Sequence, residues 1–310
     1  MEAESMYDVA IVGGGPAGLS AGIWLARYLH SVVLIDSGDP RNWATRGVNG
    51  FLGLPGIRPP ELRELGREEC RRNGVTLVDS TVDLVHRLGD EHFALDLVEG
   101  GRYDARRLLL AIGLKDNWPN IPGLERVFGA NAHVCPDCDG YECRDKKTIV
   151  IGVGRRAVGL ALNLTTWTRD LMICTNGDPP ALDRAEYCEK LDALNIPVLT
   201  ERIERVRVAD EAQIYSVEFA NGMCLDADKL FFAFGQQPAD DLGVQVGCER
   251  DENGQIVIDE HYHTSVYNVF AAGDIVPGPQ LAVAAAADGA MAALAIHKSL
   301  VPAERKLVSL

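Results

Sequence analysis

The sequence predicts an α/β fold of two related nucleotide-binding units, the second inserted into the first. Three observations carry this. An apolar strand runs directly into Gly13-Gly14-Gly15-Pro16-Ala17-Gly18, followed by a helical run and a second strand. The same order recurs around Gly152-Val153-Gly154-Arg155-Arg156-Ala157. Each unit also has a closing apolar strand that ends in glycine, at Gly113 and at Gly235.

The first unit reads in order. Residues 7–12 form a short β-branched run typical of a buried strand. Gly13, Gly15 and Gly18 fit the G-x-G-x-x-G pattern. The first glycine permits a tight turn, the second lets backbone approach a pyrophosphate, and the third lets helix pack on strand. Pro16 and Ala17 lie inside the turn. Residues 19–29 then read as a helix whose first amides face a phosphate. Residues 31–35 form the next strand, which ends at Asp36, 23 positions after Gly13. A carboxylate there accepts hydrogen bonds from a ribose hydroxyl. Strand, turn, helix, strand and acid in this order point to a dinucleotide. Residues 107–115 form a further buried strand ending at Gly113. Residues 269–274 form another, ending in Gly273-Asp274, where Asp274 can cap the Ala-rich helix after it.

The second unit repeats the pattern but not the chemistry. Residues 147–151 and 171–174 read as strands around a helix at 157–167. The position equivalent to Asp36 is Thr175, followed by Asn176, Gly177 and Asp178. No acid stands there for a ribose diol, and no arginine cluster stands there for a 2′-phosphate. Arg155 and Arg156 read as solvated residues at a helix start, with phosphate binding as the alternative. The expectation is that NAD(P)H does not bind here in the usual manner. The boundaries are residues 1–116 plus 247–310 for the first unit, and 117–246 for the inserted one.

Composition excludes several classes. The chain has 310 residues, 47% of them hydrophobic, with a net charge of -15. A chain this long buries roughly 75% of its unfolded surface and needs no cross-links. The acidity argues against nucleic acid or anionic membrane as a partner. The first residues are acidic where a secretory signal would be basic. The longest apolar run, residues 281–296, is mostly alanine and carries Asp288, too weak for a membrane span. Eight cysteines are too few for a disulfide scaffold. A cytoplasmic location is expected.

Between the two glycine motifs lies Cys135-Pro136-Asp137-Cys138-Asp139-Gly140. Two cysteines at this spacing can form a redox disulfide or begin a metal site. His133, Cys135, Cys138 and Cys143 fall within eleven residues. Zinc sites join two such pairs from separated segments, and the second pair is missing, so no metal is expected. His133 is either a base for a thiol or an ordinary loop residue. Asp139 is either an acid/base group or a helix cap. Cys70, Cys174, Cys188, Cys224 and Cys248 read as buried apolar residues.

The two glycine motifs, the Cys135–Gly140 hexapeptide and Ala272-Gly273-Asp274, in family order, resemble the low-molecular-weight thioredoxin reductase family over nearly the whole chain. Residues 36–42 and 166–170 resemble its dithiol oxidase branch. The resemblance implies two Rossmann-like FAD/NAD(P)-binding domains in three-layer ββα form, and a homodimer. It assigns Gly13, Gly15, Pro16, Ala17, Gly18, Asp36, Ser37, Arg41, Asn42, Asn49, Gly113, Gly273, Asp274, Gln280 and Leu281 to FAD. Asp274 would hold the ribityl and phosphate region, and the helix from about Gln280 would aim its N-terminus at the flavin ring. Cys138 would face the flavin and Cys135 would exchange with substrate, while Asp139 manages the proton. The implied function is an FAD-dependent dithiol/disulfide oxidoreductase that works without NADPH, by thiol oxidation, a ferredoxin-linked route or a second flavin. The implied substrate is a thioredoxin-like protein or a small dithiol. Two alternatives stay open: an NADPH-dependent thioredoxin-disulfide reductase and a non-catalytic flavin redox sensor.

Overall fold

The structure is a computed structural model that describes residues 6–209 and 213–307. The chain divides into two compact units. One takes the chain up to Trp43, Phe51–Lys115 and everything from Gln237 on; the other takes Ala44–Gly50 and Asp116–Gln236. The return to the first unit therefore lies ten residues before the boundary expected from sequence. The reason is packing: Leu242 belongs to the same apolar core as Leu110 and Ile256.

The first unit begins with β1 (Tyr7–Val12), α1 (Pro16–Arg27), β2 (Val32–Asp36), α2 (Pro59–Arg72) and β3 (Thr76–Asp79). The α1 helix starts three residues earlier than the expected 19, because Pro16 suits the first helical position, where no amide is needed. It ends at Tyr28, and Leu29 comes next in the left-handed region at φ 66°. A meander of β4 (Val82–Gly89), β5 (His92–Leu97) and β6 (Arg102–Leu110) continues the chain. The nine-residue β6 joins two layers. Its first half pairs antiparallel with β5, and its length pairs parallel with β1. The parallel order β3-β2-β1-β6 is what both glycine-motif strand and acid-bearing strand require.

The chain enters the second unit through β7 (Leu114–Asp116). It continues through α3 (Leu124–Val127), β8 (Ala132–His133), α4 (Pro136–Asp139), β9 (Thr148–Ile151), α5 (Gly154–Leu164), β10 (Leu171–Cys174), α6 (Ala185–Ala193) and β11 (Val198–Leu199). Three strands, β12 (Ile203–Val208), β13 (Ile214–Phe219) and β14 (Cys224–Leu225), form an antiparallel layer before β15 (Lys229–Phe232) returns to the main sheet. That sheet is parallel, in the order β11-β10-β9-β15-β8. It repeats the two-layer plan of the first unit. Its strands are short and nearly continuous in Ile, Val, Leu and Phe, as strands covered on both faces must be.

The exit strand β16 (Gln236–Pro238) pairs with β7. The first unit is then completed by α7 (Leu242–Gln245), β17 (Val269–Ala271) and α8 (Ala282–Leu300). β17 pairs parallel with the second half of β6, where β5 has left the sheet. The Ala-rich α8 is a packing helix: Ala285, Gly289, Ala292, Ala293 and Ile296 are buried. Among the described residues no helix is long and apolar enough to cross a membrane.

Gly289 sits where α8 meets α1. A Cβ there would lie 2.0 Å from the Ala17 carbonyl oxygen. Replacing glycine by alanine inside a solvated helix gains about 1 kcal/mol. Overpacking of a close contact costs about 1–3 kcal/mol, and backbone cannot step aside like a side chain. Gly289→Ala is therefore expected to lower stability by about 1–2 kcal/mol. Urea unfolding tests this; a stabilised variant would contradict the contact.

Candidate active site

In the first unit the glycine turn joins β1 to α1 in a shape only glycine allows. A Cβ on Gly18 would fall 1.8 Å from the Gly13 carbonyl oxygen, so helix and turn are in direct contact. A Cβ on Gly15 meets nothing within 4 Å, so that face of the turn is open. Gly15 also precedes α1 without capping it through a side chain. An open backbone face at an uncapped helix start can hold a pyrophosphate.

Asp36 ends β2 as a buried carboxylate. It pairs closely with Arg63, lies 3.8 Å from Arg67 Nη1, and accepts from the Gly38 amide at 3.3 Å. Arg67 is itself buried and donates to Asp79 at 2.7 Å. Asp36, Ser37, Arg63, Asp79 and Ser80 are among the residues lining a pocket of about 400 Å³. Two buried polar atoms at this place, Arg67 Nη1 and Ser80 Oγ, have no hydrogen-bond partner. Buried polar atoms rarely stay unpaired, and Ser80 lines the pocket, where a polar ligand would satisfy its hydroxyl. Sequence reading missed Arg63, Arg67 and Ser80. The only signal was the four-residue spacing of the two arginines, which places them on one face of α2.

Arg41 gathers a third group. Its Nη1 donates to Asp274 Oδ2 at 3.0 Å and to Gln280 Oε1 at 2.7 Å. Gly273 precedes Asp274 at the end of β17, and Leu281 stands immediately before α8. Gly113 comes after β6 at φ 69°. Asn42, next to Arg41 in the chain, is half-buried. Asn49 belongs to the second unit, where its side-chain amide donates to Glu142 at 3.3 Å.

In the second unit Cys135 and Cys138 form a disulfide. Cys135 precedes α4, and its Sγ accepts a hydrogen bond from the Cys138 amide at 3.1 Å. Asp139, the last residue of α4, has one oxygen 3.3 Å from His133 Nδ1. His133 is a buried residue of β8 rather than a loop residue. Its register opposite Phe231 is fixed by the β15 pairing. Gly140 continues the motif where a Cβ would fall 2.5 Å from the Trp167 ring, so the motif packs directly on that indole.

The other cysteines divide. Cys70, Cys143, Cys174 and Cys248 are buried, and burial pushes the Cys70 and Cys143 thiols up to about 11. Cys188 and Cys224, expected to be buried, are exposed. On α6 the neighbouring Tyr187 and Leu191 take the inward face, which turns Cys188 outward. Cys224 sits on a two-residue edge strand. Among the described residues no group of three or more His, Cys, Asp or Glu side chains is arranged to hold a metal.

The second glycine turn differs from the first at one atom. The Gly154 amide, first in α5, donates to the Pro180 carbonyl at 3.0 Å. Thr175, in the position of Asp36, is buried and donates its hydroxyl to the Asp178 carbonyl at 2.6 Å. The segment after β10 thus folds back on the turn and occupies its leading amide.

The chain matches the model of the pyridine nucleotide-disulphide oxidoreductases over residues 7–289. The chain belongs to that family. It is similar to a thioredoxin reductase of Helicobacter pylori, 30% identical over 94% of this chain and 98% of that protein. It is similar to the crystal structure of HlmI, with 35% identity, a TM-score of 0.91, and 97% and 94% of the two chains covered. An oxidoreductase from Agrobacterium tumefaciens also matches, with 32% identity, a TM-score of 0.84, and 96% and 99% covered. The family member described here is a flavin-dependent oxidoreductase of thioredoxin reductase type that acts on sulfur groups.

Thiol labelling tests this distribution. With the disulfide intact, iodoacetamide at pH 8 should modify Cys188 and Cys224 rapidly and the buried thiols slowly. After reduction Cys135 and Cys138 should join the fast set. Mass-spectrometric mapping that found Cys143 among the fast thiols would contradict its burial.

Proposed function

We propose that this protein is an FAD-dependent dithiol/disulfide oxidoreductase that exchanges electrons with a thiol substrate through Cys135 and Cys138, without NADPH entering by the inserted unit. The observation that carries the second half is the Pro180 carbonyl on the Gly154 amide. A pyrophosphate at that turn would have to displace an internal hydrogen bond and the segment that makes it. The turned-in hydroxyl of Thr175 leaves no side chain at that position to read a ribose. In the first unit, by contrast, the corresponding turn is open and an acid ends β2.

The residues of the first unit fit FAD. The turn from Gly13 to Gly18, with Pro16 and Ala17, would take the pyrophosphate. Asp36 and Ser37 would take the adenosine end, with Arg63 sharing the Asp36 carboxylate. Arg41, Asp274 and Gln280 would fix the ribityl region, and Asn42, Gly113, Gly273 and Leu281 would complete the cradle. Bound there, FAD supplies two-electron chemistry to the cysteine pair.

The chain's own residues handle sulfur and proton. A substrate thiol bonds to Cys135 as the Cys135–Cys138 bond breaks, and Cys138 leaves with the electron pair. Asp139 takes the proton. A second substrate thiol then displaces Cys135, which leaves a reduced pair and an oxidised substrate. A thioredoxin-like protein or a small dithiol fits this role, and a homodimer is the expected assembly.

The family's pyridine-nucleotide members support a second reading, an NADPH-dependent disulfide reductase, and one titration separates the two. Under anaerobic conditions NADPH and NADH should leave the flavin band near 450 nm (about the usual flavin maximum) unchanged. Excess dithiothreitol should bleach it. Stoichiometric bleaching by NADPH would overturn the nicotinamide-independent reading, and failure of any dithiol to bleach the flavin would overturn the enzymatic one.

A further inference from the structure

We propose that His133 is a positioning residue for the thiol chemistry: its Nδ1–H donates to Asp139 Oδ1, holding that carboxylate in one orientation as the acceptor of the interchange proton. The proposal rests on Asp139 acting as the acid/base group.

Three observations carry it. The imidazole is 5% exposed, and its Nδ1 lies 3.3 Å from Asp139 Oδ1. Its other nitrogen, Nε2, is buried with no hydrogen-bond partner. A neutral imidazole carries one N–H. Placed on Nε2, that proton would be a buried donor without an acceptor, while the bare Nδ1 lone pair faced a carboxylate. Placed on Nδ1, it meets the carboxylate. The geometry therefore selects the tautomer that donates to Asp139. Third, the ring sits on a paired strand beside another ring. Its backbone is paired with Phe231 in a parallel sheet, and its ring lies 5.4 Å from the Phe231 ring.

The neighbours leave this work to His133. Lys229, on β15, faces Asp139, Glu142 and Cys143, with Arg46 also nearby. Its Nζ donates to the Ala130 carbonyl at 3.0 Å, and burial is the main influence on it, lowering its affinity for a proton. Cys143 donates to the Asp139 backbone carbonyl at 3.5 Å, not to the carboxylate. Asp137, on the same short helix, and Glu142 are both acids and cannot stabilise a second carboxylate as anions. His133 is the side chain placed to donate to it.

A carboxylate held by one donor keeps a fixed oxygen toward the exchanging thiol, so removing the donor costs orientation while leaving the group itself in place.

Single-turnover reduction of the FAD-loaded protein by dithiothreitol at pH 8, followed at the flavin band, tests this. His133→Ala should slow the reaction about tenfold at saturating dithiol, a loss of orientation rather than of binding. His133→Asn, which restores an N–H donor near the Nδ1 position, should return the wild-type rate, and it guards against a fold defect in the alanine variant. Asp139→Asn should slow the reaction further than His133→Ala. If His133→Ala keeps the wild-type rate while Asp139→Asn is slow, the positioning role is wrong and the Asp139 reading stands. If Asp139→Asn also keeps the wild-type rate, the Asp139 reading falls, and the role of His133 with it.

Discussion

The first amides of a helix have no acceptor within the helix, and the two halves of this chain meet that demand in opposite ways. In the first unit the turn before α1 keeps an open face and an uncapped helix start. In the second the leading amide of α5 is given to the chain's own Pro180 carbonyl. One sequence pattern, G-x-G-x-x-G/A, thus yields an open turn in one copy and a closed turn in the other. The difference is not in the glycines. It lies at the end of the next strand: an acid with an open pocket after β2, and a turn that folds back after β10.

Some parts of the molecule could accordingly be read from residues alone. The strands around both motifs and the close spacing of Cys135 and Cys138 are patterns within a few residues of each other. Thr175 also announced its departure from an acid directly. The Pro180 carbonyl gave no sign, because a backbone acceptor carries no residue signature. Arg63 and Arg67 looked like ordinary charges on an exposed helix; only folding brings their face to Asp36 and Asp79. Asn49 sits among cofactor candidates in sequence but folds with the other unit. Cys188 and Cys224 show the limit of reading a residue type without its face. Cysteine is apolar enough to be buried, but a helix exposes whichever side the larger neighbours leave.

The polar groups of the first unit share a design. Asp36 and Asp274 are both carboxylates held by arginines, Arg63 and Arg41, that come from other segments of the fold. A lone carboxylate next to a ligand's phosphates would repel them. Pairing each with a guanidinium neutralises the charge while leaving acceptor oxygens for hydroxyl groups. Arg41 reaches Asp274 and Gln280 across more than 230 residues of sequence, which ties the turn after β2 to the start of α8. The Arg41 contacts and the packing of α8 on α1 are therefore parts of one arrangement. The glycine contacts at Gly18 and Gly289 bring Ala17 and its neighbours close enough for that arrangement to close.

In the second unit the electrostatics run the other way. Asp137, Asp139 and Glu142 stand in and beside the Cys135–Cys138 motif, and the buried Lys229 faces Asp139 and Glu142. The α4 helix has four residues, too few for an appreciable dipole at the Cys135 end. The contacts around the motif are therefore local ones: the Cys138 amide meets Cys135 Sγ at 3.1 Å, and Asp139 lies 3.3 Å from the buried His133 imidazole. Single placed groups, rather than the summed field of the protein, set the surroundings of the two sulfurs.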